Sequence, residues 1–481
     1  MFSFIETSHD FNFQHAFAPF AQGEELPLAG IITNTDVQRI CTEEKVAFGE
    51  TSRSFWTPAI IMAAILRQML SADTSCRQAV ANIVLCLALA HDPVDLDTGG
   101  YCRARAKIPA VVYKRLTLLI GQRLEAAALP DWRWQNRTVK LIDGSTSQLP
   151  DTEANQQAFP QQNQQKKGLG FPIIRWVVLI GLATASIQEF AYGPYAGKET
   201  GETALFRQML EALNAGDIVL ADRFYCSYFL IAILQKNDVD VVTRLHQKRK
   251  YDFRQGEQLG TGDHIVVWTK PARPAWMDEE MYAMLPDTLR IREIHCTVNR
   301  PGYRVRELVV ATTLLDARAY SAEDVKELYG KRWTVELDIR ALKVTIKMDC
   351  LRCKTPAMVE KEIWAHLLAY NLVRKVAAQV AMLMEVTPRS ISFTATKQAI
   401  LGGWQQATQL QGVEYVRVEK AMLKMLSKER VGNRPGRCEP RAVKRRPKPH
   451  KLLTEPRQEA RAKLLQDKPN KAEEKSKSKE G

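Results

Sequence analysis

Tyr329, Arg332, Glu336 and Lys343 stand in the segment YGKRWTVELDIRALK with the spacing Y-x2-R-x3-E-x6-K. At about 100° per helical residue the four fall within an arc of roughly 60°, so a continuous helix projects all of them from one face. That face sets one carboxylate between two cations and a phenol, a composition suited to gripping phosphate. The same wheel adds Arg340 and Lys347 to the arc and points Asp338 away from it. Leu328, Val335, Ile339, Leu342 and Ile346 form a separate stripe suited to burial. The plain alternative is a surface helix laced with i,i+3 and i,i+4 ion pairs, which are individually weak.

Two further acids bear on the choice. Asp143 in KLIDGST and Asp222 in IVLADRFY each follow an apolar, strand-like run. Either aspartate alone reads as an ordinary loop-boundary cap. Together with Glu336 they supply three carboxylates from two strand ends and a helix, the hard oxygen donors that Mg2+ or Mn2+ prefer alongside substrate phosphates. Two such ions about 3.5 to 4 Å apart activate an attacking oxygen and stabilise the leaving one in an in-line displacement at phosphorus.

The elements around these acids divide the chain. Residues 1–135 are predicted as an α-helical N-terminal domain that engages DNA ends. Thr57 caps and Pro58 opens a helix to about Leu70, Asp73 or Thr74 caps another through His91, and a third covers Pro109 to Ala127. Arg67, Arg77, Arg103, Arg105 and Lys107 fit either a helix-turn-helix-like DNA reader or a plain helical bundle. Residues 136–243 alternate strand and helix, the mark of an α/β domain. There TVKLID reads as a strand ending at Asp143, followed by a Gln- and Asn-rich loop through Gly168 and a buried hairpin broken at Gly181. A helix from Thr200, the strand IVLAD, a helix from Ser227 to Leu234 and a strand at VDVVTRL complete it. Residues 244–316 turn to strands separated by Gly and Pro, read as a mostly β insertion interrupting the α/β domain. The helical pattern resumes at Ser321, so residues 317–430 carry the Glu336 segment and the long helix VEKEIWAHLLAYNLVRKVAAQVAML that closes the core. Residues 431–481 read as a basic, disordered tail.

Composition narrows the partners. Of the formal net charge of +14, the tail holds 16 Lys/Arg against 7 Asp/Glu, leaving 52 against 47 elsewhere. A mildly basic body with a strongly basic tail suits a polyanion such as DNA or RNA. The nine cysteines lack a framework spacing and read as reduced intracellular thiols. Cys350 and Cys353 form one C-x2-C without the second ligand pair a zinc site needs. No apolar run reaches the roughly 18 residues needed to span a bilayer, so a soluble, cytoplasmic protein is expected.

The chain resembles the DDE transposases of bacterial insertion sequences, specifically the insertion-sequence-four (IS4-type) family. The resemblance rests on IDGST at Asp143, ADRFY at Asp222 and all four residues of the Tyr-Arg-Glu-Lys signature, spanning about residues 138 to 375. The β insertion also agrees with the family's layout. One departure is Ile339 in ELDIRALK, where many relatives carry an aromatic residue; the position stays apolar. The resemblance implies a ribonuclease-H-like catalytic domain with two Mg2+ (or Mn2+) ions per active site, held by Asp143, Asp222 and Glu336. It implies cut-and-paste transposition, in which water cuts at the element's end and the freed 3′-OH attacks a phosphodiester, in some members through a hairpin intermediate. Tyr329, Arg332 and Lys343 would then grip DNA phosphates, with Arg340 and Lys347 added from the helical wheel. Trp333 reads as a core-packing residue, with stacking on a displaced base as the alternative. Double-stranded DNA, as terminal inverted repeats and as target, is the implied partner, together with a second copy of the chain in a synaptic homodimer. No membrane is involved, and the expected location is the bacterial cytoplasm at the nucleoid. A nuclease on the same fold that cuts without joining, and a DNA-binding descendant without catalysis, are the competing readings; the intact acids weigh against the second.

Overall fold

The computed structural model describes residues 10–51, 54–87, 97–297, 307–432, 453–463 and 465. The described strands are β1 (Val139–Gln148), β2 (Ile173–Gly181), β3 (Ile187–Pro194), β4 (Ile218–Ala221), β5 (Asp240–Arg244), β6 (Glu257–Gly260), β7 (Asp263–Thr269), β8 (Thr288–Thr297) and β9 (Glu307–Thr312). All nine join one sheet in the order β3-β2-β1-β4-β5-β9-β8-β7-β6. Its centre, β1, β4 and β5, is parallel, and both flanks are antiparallel. Helices pack on this large mixed sheet, giving the expected α/β architecture.

The insertion extends the sheet of the α/β domain: β9 pairs antiparallel with β5, Val242 opposite Thr312, and β8, β7 and β6 follow outward. The backbone of β5 would otherwise be an open edge, and the returning strand satisfies it.

Alternation along the strands sorts side chains to two cores. Val139, Leu141, Ile218, Leu220 and Val242 face one, and Ile142, Val219, Ala221 and Val241 face the other. The first core holds the long helix Pro356–Leu383 together with Val325, Leu328, Val335 and Leu342 from the signature segment. It also takes in the N-terminal helices Pro58–Leu70 and Ala110–Ala126, through residues such as Ile60, Leu66, Val112 and Leu116. The N-terminal helices therefore share the core of the α/β domain. Asn371, fully buried on the long helix, bolts the three layers together: its Nδ2 donates to Thr117 O at 2.9 Å and Ile187 O at 3.0 Å, and its Oδ1 accepts from Ile187 N at 2.8 Å.

Local signals explain the N-terminal helices. Thr57 Oγ1 accepts from Ile60 N and Pro58 takes the first turn, as expected. The next helix is Cys76–Leu87, and Ser75 rather than Asp73 or Thr74 accepts from a first-turn amide, that of Gln78. Its expected extension to His91 lies outside the described residues. Two of the five cations considered for DNA reading turn inward. Arg67 donates to Asn82 O and lies over the Trp404 ring, and Arg105 lies over the Tyr101 ring beside Cys353. Arg77, Arg103 and Lys107 stay exposed. Most of the basic tail lies outside the described residues. No described helix is long and apolar enough to cross a membrane.

Candidate active site

The first two acids meet by register. β1 and β4 run parallel with Val139 beside Ile218 and Leu141 beside Leu220. Carrying that register two residues on sets Asp143 beside Asp222, both on the face of the sheet where the signature segment packs. β1 does not end at Asp143, contrary to expectation. β2 pairs with it through Gln148, Asp143 lying opposite Val178, whereas β4 stops at Ala221. The sheet thus has a notch where β4 ends. Asp222 caps the turn there, its Oδ1 accepting from Phe224 N at 2.7 Å, and Thr243 Oγ1 of β5 holds its carbonyl at 2.6 Å. Burial pushes the Asp143 carboxyl up to about 6, with Asp222 and Glu202 adding to the rise against the Gly144 amide and Arg332.

The signature is not one continuous helix. Helices Ala322–Lys331 and Thr334–Arg340 are joined by a tight turn at Arg332 and Trp333, closed by i to i+3 bonds such as Arg332 N to Tyr329 O at 3.0 Å. A π-helical turn, Ala341–Thr345, follows. The tight turn brings Arg332 over the acids: its guanidinium is 3.9 Å from Asp143 Oδ2 and 3.0 Å from Glu336 Oε1. Lys343 donates to Ser145 Oγ at 3.2 Å and pairs with Asp349 at 2.9 Å, which keeps its charge beside β1. Tyr329 is half-buried, and burial raises its phenol while Arg332 and Arg244 oppose the rise. Arg340 is exposed on the same segment. Lys347 does not belong to the helical face: it sits beyond the π turn with φ of +63° and donates to Ala72 O. Asp338 points away as expected and is clamped in the core by Arg374 at 2.7 Å and Arg389 at 2.8 Å.

The DDE domain family of transposases matches residues 134–372, a span that contains all of these acids. The transposase InsG of insertion sequence element IS4 from Escherichia coli (strain K12) is 29% identical over 355 residues, covering 72% of this chain and 76% of that one. The chain belongs to the DDE transposases, in the IS4 family. A shorter match joins the transposase to that of insertion sequence element IS421 from Escherichia coli, 35% identical over 82 residues, 17% of this chain and 21% of that one. Among solved structures, the piggyBac transposase synaptic complex with hairpin DNA aligns with a TM-score of 0.40 at 9% identity, covering 90% of this chain and 88% of that one.

Three residues of the transposase's site depart from the sequence reading. Trp333, expected to pack, is 47% exposed; it stands outside the apolar stripe of Leu328, Val335, Ile339, Leu342 and Ile346. Glu202, in the first turn of the helix Glu202–Arg207, faces Gly144 and acts on Asp143. GETALF reads as an unremarked helix start, so nothing nearby signals it. Arg244 ends β5 as Asp222 follows β4, and that parallel was the available signal. Among the described residues, no three acidic, histidine or cysteine side chains stand close enough to hold one metal ion. Arg332 lies between Asp143 and Glu336 and pairs with both. The donor chemistry still fits a hard divalent cation. All the donors are carboxylates, and burial and mutual repulsion disfavour the charge on Asp143 that a cation would relieve.

Proposed function

We propose that this insertion-sequence transposase cuts and rejoins DNA at a ribonuclease-H-like site built from Asp143, Asp222 and Glu336. The observation that carries the reading is Arg332, a guanidinium lying between two of the three acids and so standing where a phosphodiester would arrive. Asp143, Asp222 and Glu336 would hold two Mg2+ or Mn2+ ions, which supply activation of the attacking oxygen and stabilisation of the leaving one. Arg332 exchanges its carboxylate partners for a DNA phosphate and thereby releases Glu336 toward the two aspartates. Tyr329, Lys343 and Arg244 fix that phosphate from the sides, and exposed Arg340 takes the next one along the strand. Lys347, held on Ala72 O, contributes charge at the margin. Exposed Trp333 stacks on a base displaced near the cleavage site. The chain's substrates are the terminal inverted repeats and the target duplex, and two copies of the chain bring the paired ends together.

The test is incubation with Mg2+ and labelled candidate element ends, scoring nicked, hairpin and joined species together. Glu336→Ala is expected to abolish all three while end binding persists. Cleavage by that variant at the normal rate refutes the assignment. Joined products from a precut end separate the transposase reading from a nuclease that only cuts.

A further inference from the structure

A second place suited to bases lies among the N-terminal helices, outside the acid notch. A cleft of about 480 Å3 opens between the segment 48–56 and the helix Thr98–Lys107, a volume within the range of ligand sites. Two glycines build it. At Gly49, with φ of +74°, the chain crosses Trp56 so closely that a Cβ would lie 2.5 Å from Trp56 O, and this crossing brings Phe48 into one cleft with Phe55 and Trp56. Gly100 on the helix leaves room for the indole, whose Nε1 is 2.9 Å from where a Cβ would stand. Phe55 meets the Trp56 ring edge-on at 4.9 Å, and Tyr101 braces it at 5.4 Å. The three lining aromatics are only half-buried.

The rim of this cleft is cationic. Arg103 and Lys107 stand exposed one helical turn apart, with Lys107 Nζ 5.4 Å from the centre of the Phe48 ring. Asp97 is the one acid among the described residues that line it, so two cations face one carboxylate. Ring faces attract a flat π-system and the cations attract phosphate, a pairing that a nucleotide satisfies. A duplex shows only the edges of its bases in the grooves, so stacking requires an unpaired one. Cations one turn apart suit a strand that carries phosphate on either side of the base. A free mononucleotide carries it on one side.

We propose that this cleft holds an unpaired nucleotide of the DNA substrate, its base against Phe48 and Trp56 and its flanking phosphates on Arg103 and Lys107. The inference rests on the DNA-acting reading given above and adds to it a base site on the N-terminal helices, separate from Trp333.

The test uses the full-length protein carrying Trp333→Ala, so that stacking at the notch is absent. Binding is measured for a short oligothymidylate and for an abasic oligonucleotide of the same length, which has the same phosphates without the bases. Oligothymidylate is expected to bind about 5- to 100-fold more tightly, the worth of one stacked base. Phe48→Ala is expected to remove that preference and Phe48→Tyr to keep it, while Lys107→Gln weakens both oligonucleotides alike. Photocrosslinking of a 5-iododeoxyuridine oligonucleotide, which needs no change in the cleft, should label the peptide containing residues 48–56. Equal binding of the two oligonucleotides, a preference that survives Phe48→Ala, or crosslinks confined to other peptides refutes the cleft as a base site. Thymidine monophosphate competing at the oligonucleotide's own concentration overturns the assignment to DNA in favour of free nucleotides. If neither oligonucleotide nor duplex element ends bind, the DNA-acting reading itself fails.

Discussion

Replacing Asp143 by Asn should stabilise the metal-free transposase at neutral and alkaline pH. Burial, aided by Asp222 and Glu202, raises this carboxyl from 3.8 to about 6. The folded state therefore holds the proton more tightly than the unfolded chain does. As pH rises from about 4 to about 6 the unfolded state releases its proton first, and stability falls by about 1.4 kcal/mol per unit. Above the folded value the accumulated penalty is about 3 kcal/mol, and below the unfolded one it is absent. Asn carries no such penalty. In EDTA, the urea midpoint of Asp143→Asn should exceed that of the wild type near pH 8 and match it near pH 4. Adding Mg2+ should reverse the order, since only the wild type gains from ligand linkage. A variant less stable than the wild type at pH 8, or a difference of the same size at both pH values, refutes the account of Asp143 as a carboxylate strained by its surroundings.

Arg332→Ala should lower end cleavage by about 10- to 100-fold, the worth of one charged hydrogen bond to phosphate, while Mn2+ binding holds or tightens because Asp143 and Glu336 lose their competitor. Weaker Mn2+ binding would contradict that competition. Trp333→Ala should leave the melting temperature unchanged, since the side chain is 47% exposed, yet weaken binding of ends with an unpaired terminal base by about 1–3 kcal/mol. Equal binding of such ends argues against stacking. Asp338→Ala should cost about 3–5 kcal/mol in urea unfolding, because it strands Arg374 and Arg389 in a buried setting. A near-neutral effect would show that water enters the clamp.

The sequence makes strands, acids and their order legible because those follow from local alternation and from residue type. Asp143 and Asp222 were found as the acids after two apolar runs, and parallel pairing of those runs set them side by side. The end of β1 was misread because the strand outlasts its parallel neighbour, and only the distant hairpin partner β2 determines that. The helical wheel assumes one unbroken α-helix. It describes the Arg332–Glu336 pair and buried Val335 and Leu342, and fails at Lys347, where a π turn and a left-handed residue shift the phase. Glu202 was invisible because its meaning depends on Gly144, which lies 58 positions earlier by residue number. The sharing of one core by N-terminal and catalytic helices was equally hidden, since a buried stripe shows that a partner exists and not which one.

The nine-strand order also bears on how this chain avoids sticking to itself. The parallel centre ends in β5, whose Val241 and Val242 sit next to the strand that leads to Asp222. Bare, that rim would invite a neighbouring chain to add a strand within reach of the acids. The insertion moves the rim outward to β6, four mostly exposed residues, Glu257, Gln258, Leu259 and Gly260, a short and polar border. A version trimmed between Leu245 and Glu307 to make a smaller enzyme would lose that border, bare the outer edge of β9 beside β5, and precipitate through it before its chemistry could be assayed.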